Sequence, residues 1–180
     1  MGTGKHVELI EKLLSNADEK LAERARQAIE SIPGVRSDKA LMNALSNSSG
    51  PLKIGIIHAL GNRQVNEAIK PLTEIARASN VEDASASMKA LGDIANGDAA
   101  NALDQLRPAE EVREAWYMAL NDAAASLAEN NPKLAERLYS RVMELGGESP
   151  ARLAAFKGVA LLSGNPESLA LKTLDEGDPV

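Results

Sequence analysis

Apolar residues recur at spacings of three and four along most of the chain, and short clusters of turn chemistry break the pattern at regular intervals. The breaks fall at Asn16–Asp18, Pro33-Gly34, Ser46–Pro51, Gly61-Asn62, Ser79-Asn80, Asn96-Gly97, Pro108, Asn130–Pro132, Gly146–Pro150 and Gly164–Pro166. The segments between them predict helices near 5–15, 18–32, 37–46, 51–61, 65–78, 82–95, 98–106, 109–129, 132–145, 150–163 and 166–174. That is five antiparallel pairs and a final short helix. No linker or low-complexity tract interrupts the series, so residues 5–174 read as a single domain, with a tail at 175–180. Residues 1–4 read as a chain start or a cloning remnant.

Several boundaries carry their own signals. Asp18, Asp38 and Asp98 are placed to cap the helices that follow them. Pro51, Pro132 and Pro150 suit a first helical turn, where a missing N–H costs nothing. Gly61 and Gly92 each follow an apolar run and are expected to end a helix in the left-handed conformation.

Those two glycines also mark a repeat. HALGNRQVNEAIKPL (58–72) and KALGDIANGDAANAL (89–103) align with an offset of 31 residues (92 − 61). Ala59 and Ala90, Leu60 and Leu91, Ala68 and Ala99, and Leu72 and Leu103 share that offset. A two-helix unit of this size cannot bury its apolar face alone, whereas stacked units share a continuous core. With the phrases ARQAIESIPG, DKALMNAL, IGIIHALGNR, NEAIKPLTEIA and MKALGDIANGDAANAL, residues 17–106 resemble short bacterial HEAT repeats. Residues 113–145 resemble a tetratricopeptide unit, with Trp116, Leu120, Ala135, Tyr139 and Leu145 near its signature places and Asn121 and Asn130 where its glycine pair would stand. The resemblance implies an all-α fold, a right-handed α-solenoid of antiparallel helix pairs. It also implies a protein-binding scaffold without catalysis, whose second helices line a concave face.

Composition fits this picture. Hydrophobic residues make up 44% but aromatics 2%, so the core must be built from small aliphatic side chains, as closely packed helices allow. A net charge of −6 argues against a nucleic-acid-binding surface, which needs a basic stripe. The absence of cysteine excludes disulfides, thiolate nucleophiles and cysteine metal sites. No apolar run approaches the roughly 20 residues of a membrane span, so no membrane insertion is expected. The compartment stays open: cytoplasmic, or periplasmic or exported if a signal peptide has been trimmed.

Candidate chemistry is sparse. GTGKH (2–6) lacks the glycine spacing and following Ser/Thr of a phosphate loop, and no strand precedes it. His6 and His58 lie in different repeats with no HxxxH or ExxH spacing, so neither metal nor cofactor is expected. The carboxylates are dispersed as on a solvated helical face, and Ser46, Ser48 and Ser49 lie in a turn with no histidine nearby.

One pattern points to a surface. Aligning the second helices on Ala28-Ile29, Ala59-Leu60, Ala90-Leu91 and Ala119-Leu120 gives two ladders: Gln27, His58, Lys89, Met118 and Ala25, Ile56, Ser87, Trp116. Both flank the stripe of Leu60 and Leu91, where Ile57 and Met88 also belong to the core. The candidate protein-binding residues are therefore Gln27, Ile56, His58, Ser87, Lys89 and Trp116, with Trp116 as anchor. Apolar residues at helical spacing are usually core, so Ile56 and Trp116 carry that reading too. The functional expectation is a non-catalytic interaction scaffold with a protein partner. The alternatives are a structural accessory domain of a larger protein, exported if a leader was trimmed, and a HEAT-like chromophore lyase or chaperone subunit.

Overall fold

The computed structural model describes residues 3–16, 18–78 and 80–164, and the expected helix 166–174 and tail 175–180 lie outside them. The described residues are all-α, with ten helices and no strand. They are α1 (Thr3–Glu11), α2 (Glu19–Ser31), α3 (Val35–Leu45), α4 (Gly50–Asn62), α5 (Ile69–Ala76), α6 (Val81–Ile94), α7 (Gly97–Asp104), α8 (Arg113–Leu127), α9 (Pro132–Leu145) and α10 (Pro150–Ser163). Single 3-10 turns, Asn66–Ala68 and Glu110–Val112, lead into α5 and α8 where the sequence predicted continuous helix. None of these helices is long and apolar enough to cross a membrane.

Helix starts follow side-chain chemistry. Asp18 Oδ1 accepts from the backbone N–H groups of Lys20 (2.9 Å) and Leu21 (3.2 Å), satisfying donors that the first turn leaves open. Pro51, Pro132 and Pro150 stand in first turns as expected. The caps expected of Asp38 and Asp98 belong instead to residues upstream: Gly34 precedes α3, and the Asn96 side chain accepts from Ala99 N–H at the start of α7. Asp38 and Asp98 sit inside the first turns, where a negative charge still complements the helix dipole.

Gly61 and Gly92 do not end their helices. They lie within α4 and α6 and are buried. The left-handed turns come three residues later, at Gln64 (φ 52°) and Ala95 (φ 47°), which keep the 31-residue offset. The glycines serve close packing instead. A Cβ at Gly61 would lie 2.8 Å from the Ala90 Cα, and one at Gly92 would lie 3.0 Å from the Ala119 carbonyl oxygen. Backbones can therefore approach where α4 crosses α6 and where α6 crosses α8.

The even-numbered helices pack side by side, α2 on α4, α4 on α6, α6 on α8 and α8 on α10. Among the odd-numbered helices, α1 packs on α3, α5 on α7 and α7 on α9. The core between them collects Ile29, Leu41, Ile57, Leu60, Leu72, Met88, Leu91, Leu103 and Leu120, all fully buried. Arg63 ties the turn between α2 and α3 to the end of α4. Its guanidinium donates to Asp38 Oδ1 (2.7 Å) and to the carbonyl oxygens of Glu30 (2.7 Å) and Ile32 (3.0 Å).

Candidate protein-binding groove

The exposed edges of α4, α6 and α8 enclose a shallow trough of about 380 Å³. Its lining includes His58, Lys89 and Met118, three members of the first ladder, together with Ile54, Glu82, Ser85, Ala86, Ala115 and Ala119. Ala86, Ala115 and Ala119 are small, in keeping with the close approach of Gly92 to Ala119. Met118 is 56% exposed, one of several large apolar side chains on the surface of the described residues. His58 is half-buried beside it. Gln27, the fourth member, is exposed on α2 and donates to Glu23 Oε1 (2.8 Å), but it does not line the trough.

Lys89 is held in place at the wall. Its Nζ donates to Asp93 Oδ1 at 2.7 Å, with Asp122 Oδ2 at 3.9 Å. The hydrogen bond to Asp93 raises the Lys89 pKa against a smaller opposing effect of burial, and the charges of Asp93 and Asp122 add to the rise. The register that pairs Lys89 with Met118 also pairs Asp93 with Asp122, so the sequence carries a signal for this second carboxylate.

The second ladder does not form a surface. Ile56 and Ser87 are fully buried, Trp116 is 2% exposed, and Ala25 is buried as well. The reason is helical phase: residues two apart are turned by about 200° about the axis, so Ile56 and His58 cannot flank one face together. The same holds for Ser87 with Lys89 and for Trp116 with Met118. Trp116 is therefore not a groove anchor. Its indole N–H donates to the Leu103 carbonyl oxygen (2.8 Å), and its ring lies 5.3 Å from that of Tyr117. A buried tryptophan whose N–H has a partner belongs to the core.

Of the tetratricopeptide-like positions, Trp116, Leu120, Ala135 and Tyr139 are buried, while Leu145 is exposed at the end of α9. Tyr139 packs over Gly158, where a Cβ would lie 2.2 Å from the ring.

Among the described residues no group of three or more His, Cys, Asp or Glu side chains is arranged to hold a metal ion. A second concavity, of about 640 Å³, opens near the start of the chain between α1, α2, α3 and the first turn of α4. Glu11, Glu19 and Glu23 line it together with Asn43, Asn47 and the serines of the turn at 48–49. No protein-family model matches the chain, and no curated protein sequence matches it.

Proposed function

We propose that the chain is a non-catalytic helical-repeat scaffold, a right-handed HEAT-like α-solenoid that takes a protein partner in the trough across α4, α6 and α8. The observation that carries this reading is the convergence of His58, Lys89 and Met118, which occupy corresponding positions on successive even-numbered helices, around one open concavity. Repeat stacks expose extended surfaces of this kind because each unit turns slightly against the next. Met118 provides an adaptable apolar contact, and Lys89, fixed by Asp93, provides a positioned charge at the rim.

The test is site-specific photo-crosslinking in the native host. A photoreactive side chain at Met118 or His58 should yield a discrete adduct, and one at exposed Lys70 on α5 should not. Met118→Asp should abolish the His58 adduct while leaving the melting temperature unchanged. Equal adducts from both faces would reject the groove.

A further inference from the structure

A different part of the molecule carries charge of the opposite sign to the chain as a whole. Helices α7 and α9 pack together, and a concavity of about 380 Å³ beside them is lined by Asp104, Arg107, Arg137, Ser140, Arg141 and Glu144. We infer that it is a binding site for a phosphate-class oxyanion.

Three guanidinium groups line this concavity, and two of them, those of Arg137 and Arg141, approach the carboxylate of Asp104. Asp104 Oδ2 lies 3.3 Å from Arg137 Nε, and Asp104 Oδ1 lies 3.7 Å from Arg141 Nε. The second distance is too long for a hydrogen bond, and Arg141 Nε is buried with no hydrogen-bond acceptor among the described residues. A buried donor on a charged group is costly to leave without an acceptor, so Asp104 does not fully satisfy the Arg141 guanidinium. Arg137 Nη2 donates to Asn101 Oδ1 (2.5 Å), which fixes the guanidinium plane. Arg107 is anchored through Nη1 to the carbonyl oxygens of Asp104 (3.0 Å) and Leu106 (2.6 Å). Among the described residues no carboxylate forms an ion pair with Arg107, and Glu144 pairs with none of the three arginines.

The lining therefore holds three cations and two carboxylates, on a chain whose net charge is −6. Guanidinium forks match the oxygens of phosphate bidentately, and the Ser140 hydroxyl adds a neutral donor. A tetrahedral oxyanion presents acceptors on all sides, which suits donors arriving from two elements better than a planar carboxylate would. Asp104 then acts as an internal counter-ion that the ligand must compete with.

The experiment is a titration of the full chain with inorganic phosphate against sodium chloride at matched ionic strength. It is read from the Arg Nε–Hε resonances and from the melting temperature. Phosphate should shift the Arg137 and Arg141 signals saturably and raise the melting temperature, as a ligand of the folded state does. Arg141→Gln and Arg107→Gln should each weaken binding about tenfold, as loss of a charge-assisted contact does. Arg36→Gln, at an exposed site on α3, should leave it unchanged. Asp104→Asn should tighten binding several-fold, a change of sign that a purely structural ion-pair cluster would not give. Tighter binding of phenyl phosphate than of the free ion would assign the site to a phosphate monoester, and equal binding would assign it to inorganic phosphate. Identical shifts with chloride, or weaker binding by the Asp104→Asn variant, would overturn the proposal. If Arg141→Gln does not fold, the Arg107 and Asp104 variants still decide it.

Discussion

Gly61 and Ala90 meet backbone to backbone: a Cβ at residue 61 would lie 2.8 Å from the Ala90 Cα and 2.9 Å from its Cβ. The contact sets how closely α4 approaches α6. Gly61→Ala gains about 1 kcal/mol of helix propensity but forces two backbones apart, and overpacking of this kind costs about 1–3 kcal/mol. The expected outcome in a denaturant melt is net destabilisation. Gly92→Ala, where the nearest atom is 3.0 Å away, should be milder. Gly97→Ala, at the first residue of α7 with nothing within 4 Å of the new Cβ, should be neutral or stabilising. If all three substitutions behaved alike, close packing would not be what the two repeat glycines supply.

Leu60 and Leu91 occupy equivalent places in α4 and α6 and are both fully buried. Leu→Ala at either should cost about 2–5 kcal/mol, the usual range for a core truncation. Lys89, two residues before Leu91, has a side chain that is 53% exposed, so Lys89→Ala should change stability by no more than about 0.5 kcal/mol. Urea melts giving the opposite order would require α6 to be rotated about its axis.

The helices themselves were legible because small apolar residues at spacings of three and four alternate with Pro, Gly and Asn turns. The same signals misplace detail where one residue type serves two ends. A glycine that ends a helix and a glycine that admits a neighbouring backbone look alike in a single chain, which is why Gly61 and Gly92 read as stops while Gln64 and Ala95 make the left-handed turns. Where two capping residues stand close together, as Asn96 and Asp98 do, only the path of the backbone decides between them. For the groove, His58, Lys89 and Met118 could be found by register, but Ile56, Ser87 and Trp116 lie half a turn away and their burial follows from helix phase. The arginines beside α7 and α9 do not stand out in the sequence because Arg107 lies in the loop after α7 while Arg137 and Arg141 lie within α9, and only the packing of α7 on α9 brings them together.

Acid should weaken the fold partly through Arg26. Hydrogen bonding to this guanidinium is the main cause that holds the Glu23 carboxyl below its ordinary value, against the opposing effect of burial. At Glu30 burial pushes the carboxyl up, but hydrogen bonds from Asn62 and Arg26 with nearby positive charge outweigh it and leave the pKa lowered. A carboxyl whose folded-state pKa is lowered stabilises the fold above its unfolded value, and that contribution disappears as pH falls through the folded one. Arg26→Met should therefore destabilise the protein at neutral pH and flatten the acid limb, so that the two stability curves converge at low pH. Parallel curves across the acid range would show that Arg26 acts through packing alone. Lys89 has the opposite sign: its raised pKa gives a contribution that is present at neutral pH and lost only as strongly alkaline pH deprotonates the folded state.

Trp116 is the chain's one tryptophan, and its burial makes it both a stability element and a reporter. Trp116→Ala should cost about 3–5 kcal/mol, the range for removing a large buried aromatic. Trp116→Phe keeps most of the packing but removes the indole N–H from the Leu103 carbonyl oxygen, which still accepts from the Leu106 backbone N–H (3.1 Å), so the loss is that of one hydrogen bond, about 0.5–1.5 kcal/mol. The order expected in a denaturant melt is thus parent, then Phe, then Ala. In the parent, emission should be blue-shifted in the native state and move to the red in the same transition that abolishes the helical circular dichroism signal. Because Met118 faces the trough while Trp116 faces the core, Met118→Asp should leave both the melt and the native emission close to those of the parent. An Ala variant as stable as the parent, or native emission at the position of a solvent-exposed indole, would put Trp116 back on the surface and reverse the assignment of faces on α8.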